Sequence, residues 1–202
     1  MTINTVIIDI ETLDTAPTAV ILSIGAFSFN KFNLKETMIS INHMLRSSEQ
    51  NKNQSFYYNL HLLPQILRGR SISAETIDFW KNNDYSPFIG HSWDPRQALI
   101  NLSKYLNDKL SNNDDVHLYF RGTSFDEAIL VNAYKSLDLE VPWKFYNVRD
   151  IRTYIDALTN SNKGYIKDFK TNFNFTKHHA LHDVLRDAEQ MCVAYELNKT
   201  KY

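Results

Sequence analysis

Cysteine is nearly absent from this sequence: Cys192 is the single one in 202 residues. One thiol excludes an internal disulfide framework and fits a reducing compartment. Its place in a helical apolar pattern reads as a buried structural thiol. An excess of positive charge is also missing, since 22 Lys and Arg stand against 23 Asp and Glu, for a net charge of −1. No global basic field announces nucleic acid, so such a partner would have to be held by a local site or by metal. No apolar run approaches the ~20 residues that a membrane span needs. The stretch "MTINTVIIDIETL" has no basic leader, and Asp9 and Glu11 break its apolar run, which is not the pattern of a signal peptide. These absences together read as a soluble cytoplasmic protein with no membrane partner. Internal repeats, low-complexity tracts and a convincing linker are absent too, so residues 1–202 read as one domain.

What is present suits a packed core, with 43% hydrophobic and 13% aromatic residues. Ile- and Val-rich runs at 3–10 and 19–29 predict buried strands, and "KETMISI" at 35–41 predicts a third. Their short connections suggest an antiparallel meander. The polar stretch 47–55 reads as a loop. Ser73 caps a predicted helix over 73–83, and Asp94 with Pro95 opens another over 94–113. "VHLYF" (116–120) predicts a strand. "SFDEAILVNAYKSL" (124–137) opens with Ser124 and Glu127 in capping-box spacing and predicts a helix. A strand at 144–148, a helix at 149–158 and a last helix at about 180–197 complete the order. The sum is an α/β fold whose mixed central sheet, its first three strands antiparallel, is flanked by helices.

Three motifs carry chemistry. In "DIET" (9–12), Asp9 and Glu11 sit at i and i+2 at the end of an apolar strand, so both side chains leave the same face. Two like charges there repel, and a hard divalent cation such as Mg²⁺ or Mn²⁺ would remove that cost. Taken alone the motif fits an ordinary solvated strand end equally well. In "RGTSFDEAIL" (121–130), Asp126 falls in the first turn of a predicted helix. Asp126 taken alone reads as a complement to the helix dipole. Glu127 can close the capping box and serve the dipole, however, which leaves Asp126 free for other work. In "FTKHHALHDVLRDAEQ" (175–190) the same spacing occurs twice, as His178 with Asp183 and as His182 with Asp187. That stretch taken alone reads as the polar flank of an amphipathic helix.

The three motifs in this order resemble the DEDDh branch of the 3′–5′ exonucleases, the superfamily of polymerase proofreading subunits, oligoribonuclease and ribonuclease T. The stretches "TIDFWK" (76–81), "RGTSFDEAILV" (121–131), "NVRDIRT" (147–153) and "HHALHD" (178–183) look closer still to phage exonuclease A and to the related mycobacterial-type exoribonucleases. The resemblance implies a ribonuclease H-like fold. It also selects the first register, because the family pattern His-x-Ala-x-x-Asp is met by His178, Ala180 and Asp183, while His182 is followed by Val184. His178 would then stand on a loop before the helix and Asp183 in its first turn.

What the resemblance implies about mechanism is two-metal phosphodiester hydrolysis, with the ions about 3.5–4 Å apart. Asp9 would bridge two Mg²⁺ or Mn²⁺ ions. Glu11 and Asp183 would hold the one bearing the attacking water, Asp126 would hold the other, and His178 would act as general base. Thr12 and Leu13 would meet the 3′-terminal nucleotide, although Asp14 stands where the family often has glycine. Phe125 and Trp80 offer faces on which single-stranded bases could stack, with core packing as the alternative for both. Arg121, Arg149 and Arg152 could bind phosphates or pair with a local acid such as Asp150. The expected substrate is the 3′ end of single-stranded DNA, in a phage or bacterial cytoplasm, with RNA as the alternative because no residue identifiably reads a 2′-hydroxyl. Ribonuclease T and related enzymes dimerise, so a homodimer is compatible. An inactive nucleic-acid-binding module would lack a carboxylate, and none is missing. A zinc site of His178, His179 and His182 finds no cysteine pair to support it.

Overall fold

The computed structural model describes residues 2–46, 53–83, 91–110 and 115–200. Five strands make one sheet: β1 (Thr5–Thr12), β2 (Ile21–Phe29), β3 (Ser55–Asn59), β4 (His117–Phe120) and β5 (Val148–Asp150), in spatial order β3-β2-β1-β4-β5. β2 is antiparallel to both β1 and β3, while β4 runs parallel to β1 and β5 parallel to β4. The fold is therefore α/β with a mixed sheet whose first three strands are antiparallel, as expected.

The third strand is not where the sequence pattern put it. Residues 35–41 lie inside helix α1 (Leu34–Arg46). Thr37, Ser40 and Ile41 are its buried positions, a helical i, i+3, i+4 spacing, and the Asn33 side chain accepts the Glu36 amide at 3.1 Å to cap its start. The third strand is instead "SFYYN", an aromatic run on the sheet edge. Most of the predicted 47–55 loop, residues 47–52, lies outside the described residues. The short helix α2 (Leu62–Leu67) was not legible as a separate element, because its apolar residues are largely exposed.

The remaining helices are α3 (Ala74–Lys81), α4 (Pro95–Leu110), α5 (Ala128–Ser136), α6 (Ile151–Thr159) and α7 (Ala180–Lys199). Ser73 caps α3 as its sequence predicts, accepting the Thr76 amide at 3.1 Å. The predicted 144–148 strand splits into a single 3₁₀ turn, Phe145–Asn147, followed by β5. Among the described residues, no helix is long and apolar enough to cross a membrane.

Alternation along β1 divides the core in two. Val6, Ile8 and Ile10 face one layer with α4 and α5, whereas Ile7 faces the other with α1, α6 and α7. Asp9 and Glu11 continue the Ile7 series, so the period of two aims both carboxylates at the α7 side. Cys192 is fully buried on α7, and burial pushes its thiol up to about 12.

Candidate active site

The site forms where β1 ends. β1 and β4 are parallel, so their carboxyl ends share one edge, and crevices outside such ends are where α/β sheets bind ligands. β1 brings Asp9 and Glu11. The turn after β4 brings Asp126, and the first turn of α7 brings Asp183. Carboxylate oxygens of Asp9, Glu11 and Asp183 lie within 4.8 Å of one another.

One glycine makes this convergence possible. Gly25 on β2 pairs with Asp9 on β1. A Cβ on Gly25 would lie 2.3 Å from the Ala180 carbonyl carbon and 2.5 Å from the Leu181 amide. The start of α7 thus rests directly on the backbone beside Asp9, which carries Asp183 to the strand. Ala180 itself is fully buried. A glycine inside a strand pattern is the sequence signal for such close approach.

Asp126 reaches the site differently from the predicted capped helix. The chain leaves β4 through Gly122 at φ 127° and makes a π-helical turn over Thr123–Glu127. No side chain caps this turn, and Glu127 accepts instead from Trp143 Nε1 at 3.3 Å. The capping box is therefore not formed. The wider turn buries the Asp126 side chain, which is 3% exposed, and π-turns of this kind often mark functional positions.

The electrostatics are those of a crowded anionic site. Asp9 is raised well above the usual carboxylate range, first by burial, then by the charges of Asp126, Glu11 and Asp183. Glu11 is pushed up to about 8 by burial, Asp183 and Asp126, with Arg186 pulling the other way. Burial pushes Asp126 up to about 7, although the Ile10 backbone amide favours its charged form. Asp183 is raised by burial and restrained by Arg186, whose Nη2 lies 2.7 Å from its carboxylate. Four crowded carboxylates, each raised first of all by burial, match the donor chemistry of a hard divalent cation, which would replace their protons.

The two histidine registers separate clearly. His178 sits at φ 55° just before α7 and lines a cleft with Glu11, Thr12, Phe79, Trp80 and Phe125. Its ring meets Phe79 edge-on at 4.9 Å and Trp80 at 5.9 Å. His182 lies on α7, where its Nδ1 accepts the Thr176 amide at 2.9 Å. Asp187 is 3% exposed and takes a two-pronged bond from Arg121, at 2.7 Å to each oxygen. Arg121 thus pairs across the fold rather than with a local acid. Asp150 caps α6 through the Thr153 amide at 2.8 Å. The three histidines do not converge on a metal: His179 stacks between Tyr57 at 4.3 Å and His182 at 4.4 Å, and burial pulls its imidazole down to about 4.

Thr12 is buried, and its hydroxyl donates to the Asp14 carbonyl at 2.7 Å. Leu13 is half-buried and held by backbone bonds to Val20 and Ser73. Phe125 is half-buried against the core, with part of its ring on the cleft. Trp80 is 7% exposed, and its Nε1 donates to the Thr12 carbonyl at 2.8 Å. Its geometry is that of a brace for the end of β1. The more open aromatic face on the cleft is Phe79, 41% exposed, which sequence reasoning passed over. Arg186 was also missed, although its i+3 spacing from Asp183 is a visible signal. Trp80→Phe keeps a six-membered ring but loses the pyrrole half of the indole with its Nε1 donor, so it deletes the brace and some buried apolar area. It is expected to raise KM severalfold and to lower Tm by roughly 4–8 °C, for about 1 kcal/mol of hydrogen bond and about 1 kcal/mol of packing; steady-state kinetics and a melting curve check this.

No curated protein matches this sequence. A family model described as the 3′–5′ exoribonuclease Rv2179c-like domain matches residues 4–194, a span that takes in β1, the turn after β4 and the start of α7. With that match over nearly its whole length, the chain belongs to the Rv2179c-like 3′–5′ exoribonuclease domain family.

Proposed function

We propose that the protein is a metal-dependent 3′–5′ exoribonuclease of the DEDDh type on a ribonuclease H-like fold. The observation that carries this reading is the meeting of Asp9, Glu11 and Asp183 within 4.8 Å beside the buried Asp126. The family match favours RNA, so the DNA preference expected from the sequence gives way to the alternative weighed with it.

Asp9, Glu11 and Asp183, with Asp126 beside them, would hold two Mg²⁺ or Mn²⁺ ions. When bound, these supply positive charge at the phosphate and lower the pKa of an attacking water. His178 would take the proton from the attacking water as its oxygen bonds to phosphorus. The bond from phosphorus to the 3′-oxygen of the preceding nucleotide would break, that oxygen would take a proton from solvent to become a 3′-hydroxyl, and the terminal residue would leave as a nucleoside 5′-monophosphate. The position of His178 before α7, rather than within it, leaves its ring free to face the cleft. Thr12 and Leu13 meet the terminal sugar and base, and Phe79 and Phe125 offer stacking faces. The substrate class is the 3′ end of a single strand. The setting proposed is the cytoplasm, with a homodimer compatible.

The test uses 5′-labelled RNA and DNA strands of equal sequence with Mg²⁺ or Mn²⁺. The expected result is a ladder shortening from the 3′ end, faster on RNA, abolished by EDTA and by Asp9→Ala. His178→Ala is expected to slow it by roughly 10²–10⁴-fold, the usual contribution of a general base. Faster cleavage of DNA would restore the first expectation. If neither strand shortened with either metal, the mechanism would be wrong.

A further inference from the structure

Arg70 is a buried charge that the carboxylate cleft does not explain. It is 8% exposed. Its Nε donates to the Ala19 carbonyl at 2.8 Å and its Nη1 to Asn132 Oδ1 at 3.0 Å, but Nη2 is buried with no hydrogen-bond partner. Among the described residues, no carboxylate lies within ion-pair distance of it. A guanidinium buried without a counter-charge is costly, and an unsatisfied buried donor calls for an explanation. Arg70 lines a cavity of about 110 Å³. Arg68 and Arg96, both exposed, line the same cavity against apolar walls such as Ile21 and Leu137. The acid on its lining, Asp94, is occupied in capping α4, where it accepts the Gln97 amide at 3.1 Å. The cavity shares no lining residue with the cleft that holds Glu11 and His178.

We infer that this cavity is a second binding site, separate from the carboxylate cleft, for a phosphate group held by Arg70 with Arg68 and Arg96 at its rim. A planar guanidinium fork matches a tetrahedral oxyanion, and Nη2, the Arg70 nitrogen with no partner among the described residues, is the donor left for it once the side chain turns toward the cavity. The cavity has the volume of only a few waters, at roughly 30 Å³ each. It therefore takes inorganic phosphate, or the phosphate of a nucleoside monophosphate whose base remains outside. Burial pulls the Arg70 guanidinium down to about 10, so it stays charged at neutral pH.

The test uses the full chain in EDTA, so that the carboxylate site holds no metal. Tm and the ¹⁵N signal of Arg70 Nε are followed during titration with sodium phosphate, with adenosine 5′-monophosphate, and with sodium chloride at equal ionic strength. Phosphate at 10 mM is expected to raise Tm by about 3–6 °C over chloride, as for a site of millimolar affinity, and to shift the Arg70 signal. A stronger response to the nucleotide than to phosphate assigns the site to nucleotides, and the reverse assigns it to inorganic phosphate. Arg68→Ala, an exposed change that leaves the fold intact, is expected to weaken phosphate binding at least threefold. Arg70→Met, which also removes the bonds to Ala19 and Asn132, is expected to lower the phosphate-free Tm by a few degrees and to abolish the response to phosphate. If Arg70→Met does not fold, the Arg70 signal and Arg68→Ala decide. Equal Tm in phosphate and chloride with an unmoved Arg70 signal overturns the inference, as does a phosphate response that Arg68→Ala and Arg70→Met leave unchanged.

Discussion

Asp9→Asn is expected to do two opposite things: raise the melting temperature of the metal-free protein at pH 8 and remove its hydrolytic activity. The stability gain follows from the direction of the pKa shifts. Glu11 rises from 4.5 to about 8 on folding, Asp126 rises from 3.8 to about 7, and Asp9 is raised well above its ordinary value. In this window the folded chain binds more protons than the unfolded chain, so stability falls as pH rises. The contribution is fully present below about pH 4 and is lost as pH passes 7 to 8, where the carboxylates ionise against one another without a cation. Asn at position 9 removes one buried charge and relieves its neighbours. A gain of roughly 5 °C or more at pH 8 corresponds to a few kcal/mol of removed repulsion. At pH 5, where the carboxyls are mostly protonated, the gain should shrink. Mn²⁺ should stabilise the wild type most at pH 8 and the variant little. The activity loss, at least about 10³-fold, reflects several kcal/mol of lost charge stabilisation at the phosphate. Calorimetry from pH 5 to 8.5, with and without Mn²⁺, reads all of this. A wild-type Tm that is flat across that range, or a variant less stable than wild type at pH 8, would sink the account.

Gly25→Ala is expected to cost at least about 100-fold in kcat/KM, although Gly25 does not line the cleft. Its new Cβ would lie 2.3 Å from the Ala180 carbonyl carbon and 2.5 Å from the Ala180 carbonyl oxygen. Neither is a flexible side-chain end, so the start of α7 must move. A displacement of about 1 Å at Asp183 is enough for a loss of that size. Mn²⁺ affinity should fall together with activity, because Asp183 leaves the cluster that holds it near Asp9 and Glu11. Gly69→Ala is the control. Gly69 has φ 81° with no neighbour within 4 Å of a Cβ, so its substitution strains only a surface turn. It should lower Tm and leave kcat/KM and Mn²⁺ affinity alone. Unchanged Mn²⁺ affinity in Gly25→Ala would show that the helix start is not what sets the site.

The sequence by itself determined those features that depend on local periodicity. Alternation along β1 aims Asp9 and Glu11 at one face, and Ser73 and Pro95 mark the helix starts where the structure has them. The strands β1, β2 and β4 followed from short apolar runs and the helix α7 from its helical period. Tertiary structure decided whatever depends on partners distant in the chain. Residues 34–46 became a helix because its buried face is covered by α7, so the β-rich composition of "KETMISI" was overridden. The repeated His–Asp spacing was ambiguous locally; Arg121, 66 residues away, takes up Asp187 and leaves Asp183 turned to the strand. Gly25 is an unremarkable strand residue until α7 is laid across it. Spacing along one element fixes which way a side chain leaves the backbone. What that side chain meets is fixed by the packing of other elements against it, and the site is made of such meetings.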